Sequence, residues 1–503
     1  MKNLETTAQQ KLTYPHTLLN VLQKLRHDLI AEGNNIFGKW RSLITRTPFT
    51  PSAQNLAYYL ALRHHDIRPI QLALTPWGLS SLSQIESRVM PNLEGVIATL
   101  GAVCGQDPTF FPKHPPLEAF FEGDRLLKTH TDELFGHPPN HRQVRIMVTL
   151  PSHAATDETF ILDLVQRGVD CLRINCAHDS QVEWESMIHK IRQAEEKTQR
   201  QCKIFMDLGG PKLRLKTVIP PKGKKRIHPG EGLLLTHQKP TKPHKNHFQA
   251  SLTLPDVLKQ VKVGATIWVD DGHIGGTVES IGEEGVLIRI THARPKGEKV
   301  RVDKGINFPD TPLDLNPLTD KDRQDLDFVA IHADIIGYSF VQKANDMEIL
   351  QWELEQRLGV EWRKVAIVAK IETLTAVKNL PELIIHGAGK QPFGVMIARG
   401  DLAVEIGYQR LAEMQEEILW LCQAAHVPVI WATQVLENLV KNSIPSRAEM
   451  TDAAMAERAE CVMLNKGAYI GQGVDILDEV LSRMQTHQLK KTPQLRALDS
   501  WKI

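Results

Sequence analysis

Apolar residues recur along this chain with a helical period at first and later as short runs separated by amphipathic stretches. From Thr17 to about Val103 the period is helical: Leu18, Val21, Leu22, Leu25 and Leu29 share one face, and Gly33-Asn34 offers a stop. Pro91 then opens a segment with Leu93, Val96, Ile97 and Leu100 in phase. Six prolines between Pro108 and Pro139 punctuate the next stretch, which reads as a linker. From Val144 onward the runs predict strands over 144–150, 169–174, 203–206, 334–340, 365–369, 394–397, 427–432 and 461–464. Segments such as 158–167, 410–425 and 475–485 predict helices between them, the rhythm of a parallel sheet covered on its faces.

Eight such strands favour closure. The expected fold is α/β: a (β/α)₈ TIM barrel with an inserted small β-barrel cap domain and a helical N-terminal extension. The rhythm breaks between about Thr217 and Asp303, where Lys, Pro and Gly accumulate and alternating runs at 265–269 and 286–291 suggest the cap. The expected boundaries are 1–140 for extension and linker, 141–217 and 304–488 for the barrel, 218–303 for the cap and 489–503 for a tail. An insertion after the third strand belongs over the barrel's active face.

Composition adds little. The 503 residues are 42% hydrophobic and 24% charged, and a net charge of +1 gives no argument for nucleic acid as a partner. The six cysteines lack CxxC spacing, so neither a disulfide framework nor a zinc site is indicated. The opening MKNLETTAQQ has no apolar h-region and no apolar run approaches bilayer length, so a cytoplasmic protein without a membrane partner is expected.

The chemistry lies at the strand ends. Lys370-Ile371-Glu372 and Ala398-Arg399-Gly400-Asp401 each follow a buried run, strand two ends in Arg173, Asn175, Ala177 and His178, strand three in Asp207, Lys212 and Arg214, and strand seven in Thr433. Carboxyl ends of barrel strands share one rim. Arginine and lysine donors facing carboxylates there suit a divalent metal, an anionic substrate and phosphoryl transfer, which needs charge neutralisation more than covalent help.

At these residues the chain resembles the pyruvate kinase family. The ordered set Arg173-x-Asn175-x-x-His178, Asp207-x-x-Gly210-Pro211-x-x-Arg214, Val269-Asp270-Asp271-Gly272, Lys304-Gly305-Ile306-Asn307, Lys370-Ile371-Glu372, Ala398 to Leu402, Ala432-Thr433-Gln434 and Arg447-Ala448-Glu449 carries the resemblance from about Val144 to Gln485. It implies transfer of the phosphoryl group of phosphoenolpyruvate to ADP with Mg²⁺ (or Mn²⁺), giving pyruvate and ATP, in a homo-oligomer. Under it Glu372 and Asp401 ligate the metal, Lys370 and Arg173 neutralise the phosphoryl group, and the Gly400 and Asp401 amides take the substrate carboxylate. Thr433 lies beside the carbon that gains a proton, and Asn175, His178, Arg214 and Lys304 face the nucleotide.

Departures from the family pattern are equally specific. Ala177 and Leu208 replace polar residues that support a bound potassium ion, and Lys212 replaces a glutamate. An ammonium on a flexible stem can supply potassium's unit charge, so Lys212 is expected to substitute for the ion and potassium not to be required. Asn465-Lys466-Gly467-Ala468 stands where the family carries a hydroxyl and a carboxylate, leaving the proton donor open. Only 490–503 follow the eighth helix, where the common form continues into a regulatory domain. Two other classes remain open: a non-catalytic regulatory or binding descendant, and a metal-dependent aldolase or lyase-type barrel acting on a pyruvate-like substrate.

Overall fold

The computed structural model describes residues 12–494. The MKNLETTAQQ stretch and residues 495–503 of the expected tail lie outside them. Eight parallel strands close into a barrel in sequence order: β1 (Arg145–Thr149), β2 (Cys171–Asn175), β3 (Lys203–Asp207), β4 (Ile335–Tyr338), β5 (Ala366–Ile371), β6 (Phe393–Ala398), β7 (Val429–Ala432) and β8 (Cys461–Leu464), with β8 pairing back onto β1. Side chains along each strand alternate between two apolar environments. Met147, Cys171, Phe205, Val368, Met396, Ile430 and Met463 fill the barrel interior. Ile146, Leu172, Ile204, Ile367, Val395 and Val462 pack outward beneath the helices.

The same alternation explains the polar residues at the upper ends. Thr149, Arg173, Asp207 and Lys370 each follow an interior residue by two positions, so they form a polar layer on top of the apolar ones. Register supports this, since Thr149 lies opposite Arg173 and Asn175 opposite Asp207. β5 runs longer than expected. Its ladder continues through Lys370 opposite Met396 and Ile371 opposite Ile397, so Lys370 is a strand residue facing inward rather than the first residue after the strand.

The inserted cap is a seven-stranded, mainly antiparallel sheet running from Leu215–Ile219 to Ile306–Asn307 in chain order, with its own apolar core. A bridge between Arg214 and Gly305 draws its two edge strands together into a partly closed barrel. It meets the upper face of the main barrel where Asn307 donates to Glu405 and Tyr408 donates to the Asp271 carbonyl.

The amino-terminal helices include α1 (Pro15–Trp40), α2 (Thr50–Arg63) and α3 (Val89–Val103). α1 does not stop at Gly33-Asn34. The glycine instead allows close packing: a Cβ at Gly33 would sit 2.3 Å from Tyr58 Cδ1, so the small residue lets α1 and α2 approach while the helix continues. The proline-rich stretch is not simply a linker either, because it contains α4 (Glu122–Phe135), whose Leu134 and Phe135 join the barrel interior and stopper its lower mouth. At the upper face, α5 (Arg399–Ile406) and α6 (Tyr408–Ala424) follow β6. Among the described residues, no helix is long and apolar enough to cross a membrane.

Candidate active site

The polar upper layer is a connected network. Arg173 donates to Asp207 Oδ2 from Nε at 2.9 Å and from Nη2 at 2.5 Å, and to Thr149 Oγ1 at 3.0 Å. Lys370 reaches the same Asp207 oxygen at 3.2 Å and Ser339 Oγ at 2.6 Å. Burial works to raise the Asp207 carboxyl, but Lys370 and Arg173 together hold it below the usual carboxylate range. Burial likewise acts to strip the Lys370 proton, and Asp207 and Glu372 reverse this, so the ammonium is held charged. One carboxylate therefore fixes two cations at the barrel mouth.

Glu372 is almost fully buried, with Oε1 3.5 Å from Lys370 Nζ and Oε2 accepting the Phe340 amide at 2.6 Å. Burial pushes its carboxyl above the ordinary range against the pull of Lys370, and repulsion from Asp401 adds to the push. Two hard carboxylates that repel each other across a polar mouth fit a divalent cation such as Mg²⁺, whose charge would relieve both. Among the described residues no group of three or more His, Cys, Asp or Glu is placed to hold a metal.

Asp401 opens α5 and is engaged by the cap side. Lys212 Nζ lies 2.9 Å from its Oδ1 and 3.0 Å from Oδ2. Leu208 is buried and has no polar side-chain atom; its carbonyl accepts from Ser339 Oγ at 2.8 Å and its amide donates to the Gly337 carbonyl at 3.0 Å. The Gly400 amide donates to Thr433 Oγ1 at 2.9 Å. Thr433 and Gln434 both hold positive φ, 64° and 58°, a conformation costly for branched or bulky residues. Arg399 clamps that turn by donating to the Ala432 and Thr433 carbonyls at 2.8 and 2.6 Å, and is itself anchored on Asp452.

Of the remaining expected residues, Asn175 spends its side-chain oxygen on the Ala177 amide at 3.1 Å. His178 follows on that loop; burial lowers its pKa, and Lys466, Arg214 and Arg173 lower it further against Asp179. Arg214 and Lys304 do not join the Lys370 network. Arg214 donates to the Asp303 carbonyl at 2.8 Å and Lys304 pairs with Asp270 at 2.8 Å, both at the cap joint. A cavity of about 270 Å³ opens there, bordered by Lys212, Asp401, Asn307, Phe340 and Glu405. Glu405, pushed up to about 7 by burial, accepts from Asn307 Nδ2 at 3.0 Å and so links α5 to the cap.

Sequence reading missed Thr149 and Ser339 as partners of Arg173 and Lys370, and Arg399 as the clamp. The inward register of strand ends was the available signal for the first two. Packing accounts for part of the altered segment after β8. A Cβ at Gly467 would sit 2.5 Å from the Val440 carbonyl oxygen, so no side chain fits there without a shift of backbone.

The family model of the pyruvate kinase barrel domain matches residues 141–473, which span this whole arrangement. A pyruvate kinase of Dictyostelium discoideum is 30% identical over 67% of this chain and 65% of its own length. One from Agrobacterium vitis is 30% identical over 72% of this chain and 73% of its own. The solved structure of a pyruvate kinase from Cryptosporidium parvum superposes with a TM-score of 0.61 at 26% identity, covering 71% of this chain and 72% of that one. The matched region thus spans between 65% and 73% of the length of these relatives.

Proposed function

The chain belongs to the pyruvate kinase family, and from that premise we propose that it moves the phosphoryl group of phosphoenolpyruvate to ADP, giving pyruvate and ATP. The observation that carries this reading is the Arg173–Asp207–Lys370 network set beside Glu372 and Asp401 at one mouth. Two cations locked by a single carboxylate can stabilise the oxygens of a phosphoryl group in flight without reorganising, which is most of what this reaction asks of a protein.

Glu372 and Asp401 would hold Mg²⁺ or Mn²⁺, which when bound supplies further charge neutralisation on phosphate oxygens. The amide of Asp401 at the start of α5 suits the substrate carboxylate. Thr433 Oγ1 already accepts the Gly400 amide, which leaves its own O–H to face the carbon that must gain a proton. Asn175, His178, Arg214 and Lys304 would take the nucleotide, the last two from the cap joint, so that binding ADP engages the cap. Lys212 provides a fixed positive charge next to Asp401, and the reaction is then independent of potassium.

The deciding experiment measures pyruvate release from phosphoenolpyruvate and ADP with magnesium, in tetramethylammonium and in potassium buffer. Equal turnover in both is the expected result. Saturable phosphoenolpyruvate binding without any pyruvate would overturn the catalytic reading in favour of a binding descendant.

A further inference from the structure

Two cavities larger than the one beside the polar mouth lie at the opposite end of the barrel. They are open, of about 740 and 950 Å³, flank the α4 stopper and share Lys203 and Asp334 between them. These volumes are in the range of small-molecule sites. The first is walled by the amino-terminal extension as well as by the barrel: Thr45 and Arg46 line it, and their amides both donate to the Gly389 carbonyl, at 2.9 and 2.8 Å.

Charge in the first cavity is unbalanced. Arg46, Lys203, Arg363, Lys364 and Lys390 line it against three carboxylates, Glu133, Asp334 and Glu361. Arg46 is held by Glu133, Lys364 lies 2.5 Å from Glu361, and Lys390 donates to Gln351 Oε1 at 3.1 Å. Asp334 is occupied by the Ile204 amide at 2.8 Å and by Arg192 at 3.6 Å. That leaves Lys203 and Arg363. Arg363 lies over the Trp362 ring at 5.4 Å, and neither its guanidinium nor the Lys203 ammonium makes a hydrogen bond or ion pair among the described residues.

Lys203 is the informative one. It begins β3 on the same strand face as Phe205 and Asp207, so its stem enters the lower mouth, and it is half-buried. Arg145 occupies the equivalent start of β1 and is fully engaged there, by Asp132, by the Gly136 carbonyl at 2.7 Å and by the Gln143 carbonyl at 2.8 Å. The Lys203 ammonium, half-buried in an open cavity and with no protein acceptor among the described residues, is free to face a dianion, and charge-assisted hydrogen bonds to a phosphate are strong. We propose that the lower mouth is a second binding site, for a small phosphomonoester whose phosphate sits between Lys203 and Arg363. Its ligand would touch both the extension and the barrel. The site is separate from the polar mouth and does not depend on the reaction proposed there.

Titration calorimetry with glycerol 3-phosphate, with inorganic phosphate in a parallel arm, tests it. One saturable event is expected in the full chain, preserved in Lys370→Met and weakened by about tenfold or more in Lys203→Met and in Arg363→Glu. Binding by both probes assigns the site to the phosphate group, and binding by the ester alone adds recognition of its hydroxyls. Lys203→Met fills the same space with an apolar stem, so circular dichroism and Tm should match the parent, and phosphoenolpyruvate turnover without added ester should be unchanged. No saturable binding, or binding lost in Lys370→Met yet retained in both lower-mouth variants, would overturn the proposal.

Discussion

The Lys212 ammonium stands within 3.0 Å of both carboxylate oxygens of Asp401, joining the loop after β3 to the first turn of α5. The pair is partly screened from water, with side-chain exposures of 27% and 16%, so its charge is felt more strongly than at a free surface. If this ammonium does the work of a monovalent cation, Lys212→Met should be slow in tetramethylammonium buffer and recover with added potassium. Lys212→Glu, which sets two like charges together, should lose about a hundredfold or more in kcat. Strong potassium stimulation of the unmodified chain would sink the idea and leave the phosphotransferase reading in place.

Lys370 offers a cleaner separation of rate from binding. Its ammonium is anchored by Asp207 and Ser339, which fixes it before substrate arrives. A preorganised donor of this kind acts on charge that develops in the transition state, so Lys370→Met is expected to lower kcat by about 10²–10³ while KM for phosphoenolpyruvate changes little. A variant in which only KM rose would assign the residue to ground-state binding instead.

The polar residues of the upper mouth were legible in the sequence as strand ends, while most of the contacts they make there were not. A charged pair such as Lys370 and Glu372 after an apolar run signals a strand end, yet the strand runs on through Ile371, because the Lys370 side chain finds Asp207 and Ser339 inside the barrel. Those partners lie far away in the chain, and only the closed register brings them together. Gly33 reads as a helix stop in isolation, but the Tyr58 ring lying against it is a tertiary fact. In the same way, the prolines around α4 obscured a short helix whose Leu134 and Phe135 have meaning only as a stopper for the barrel. The eight-strand rhythm survived because each buried strand is apolar on both faces, which local sequence does record.

Glu372→Gln isolates the metal proposal. The amide oxygen can still accept from the Phe340 N–H, which lies 2.6 Å from Oε2, so the fold and Tm should change little for a residue so deeply buried. What disappears is the negative charge. Mn²⁺ binding followed by electron paramagnetic resonance should weaken by about tenfold or more, and turnover should vanish at ordinary magnesium. Parent-like Mn²⁺ affinity in this variant would remove Glu372 from the ligand set.

At the seam between extension and barrel, His426 is buried and should make the fold sensitive to acid. Its Nε2 donates to the Ser87 carbonyl at 3.0 Å, so in the neutral ring Nδ1 accepts from Ser52 Oγ at 2.9 Å, and its own carbonyl accepts from His130 Nδ1 at 2.7 Å. Burial pushes the His426 pKa down to about 4, partly offset by the Ser87 bond and helped by the neighbouring His130. His130 is shifted the same way, by burial first and then by Arg46 against the His426 carbonyl and Glu133. In the unfolded chain a histidine titrates near 6.5. Above that pH neither state binds the proton and the fold keeps its full stability; as pH falls from about 6.5 to about 4 only the unfolded chain takes it up. The loss grows across that window to about 3 kcal/mol for His426 and then levels off. Urea unfolding at intervals between pH 7 and pH 4 should therefore show a steep decline that is shallower in His426→Gln, even though the variant starts from lower stability at pH 7. Parallel curves for the two proteins across that interval would mean that His426 is not the group that senses acid at this seam.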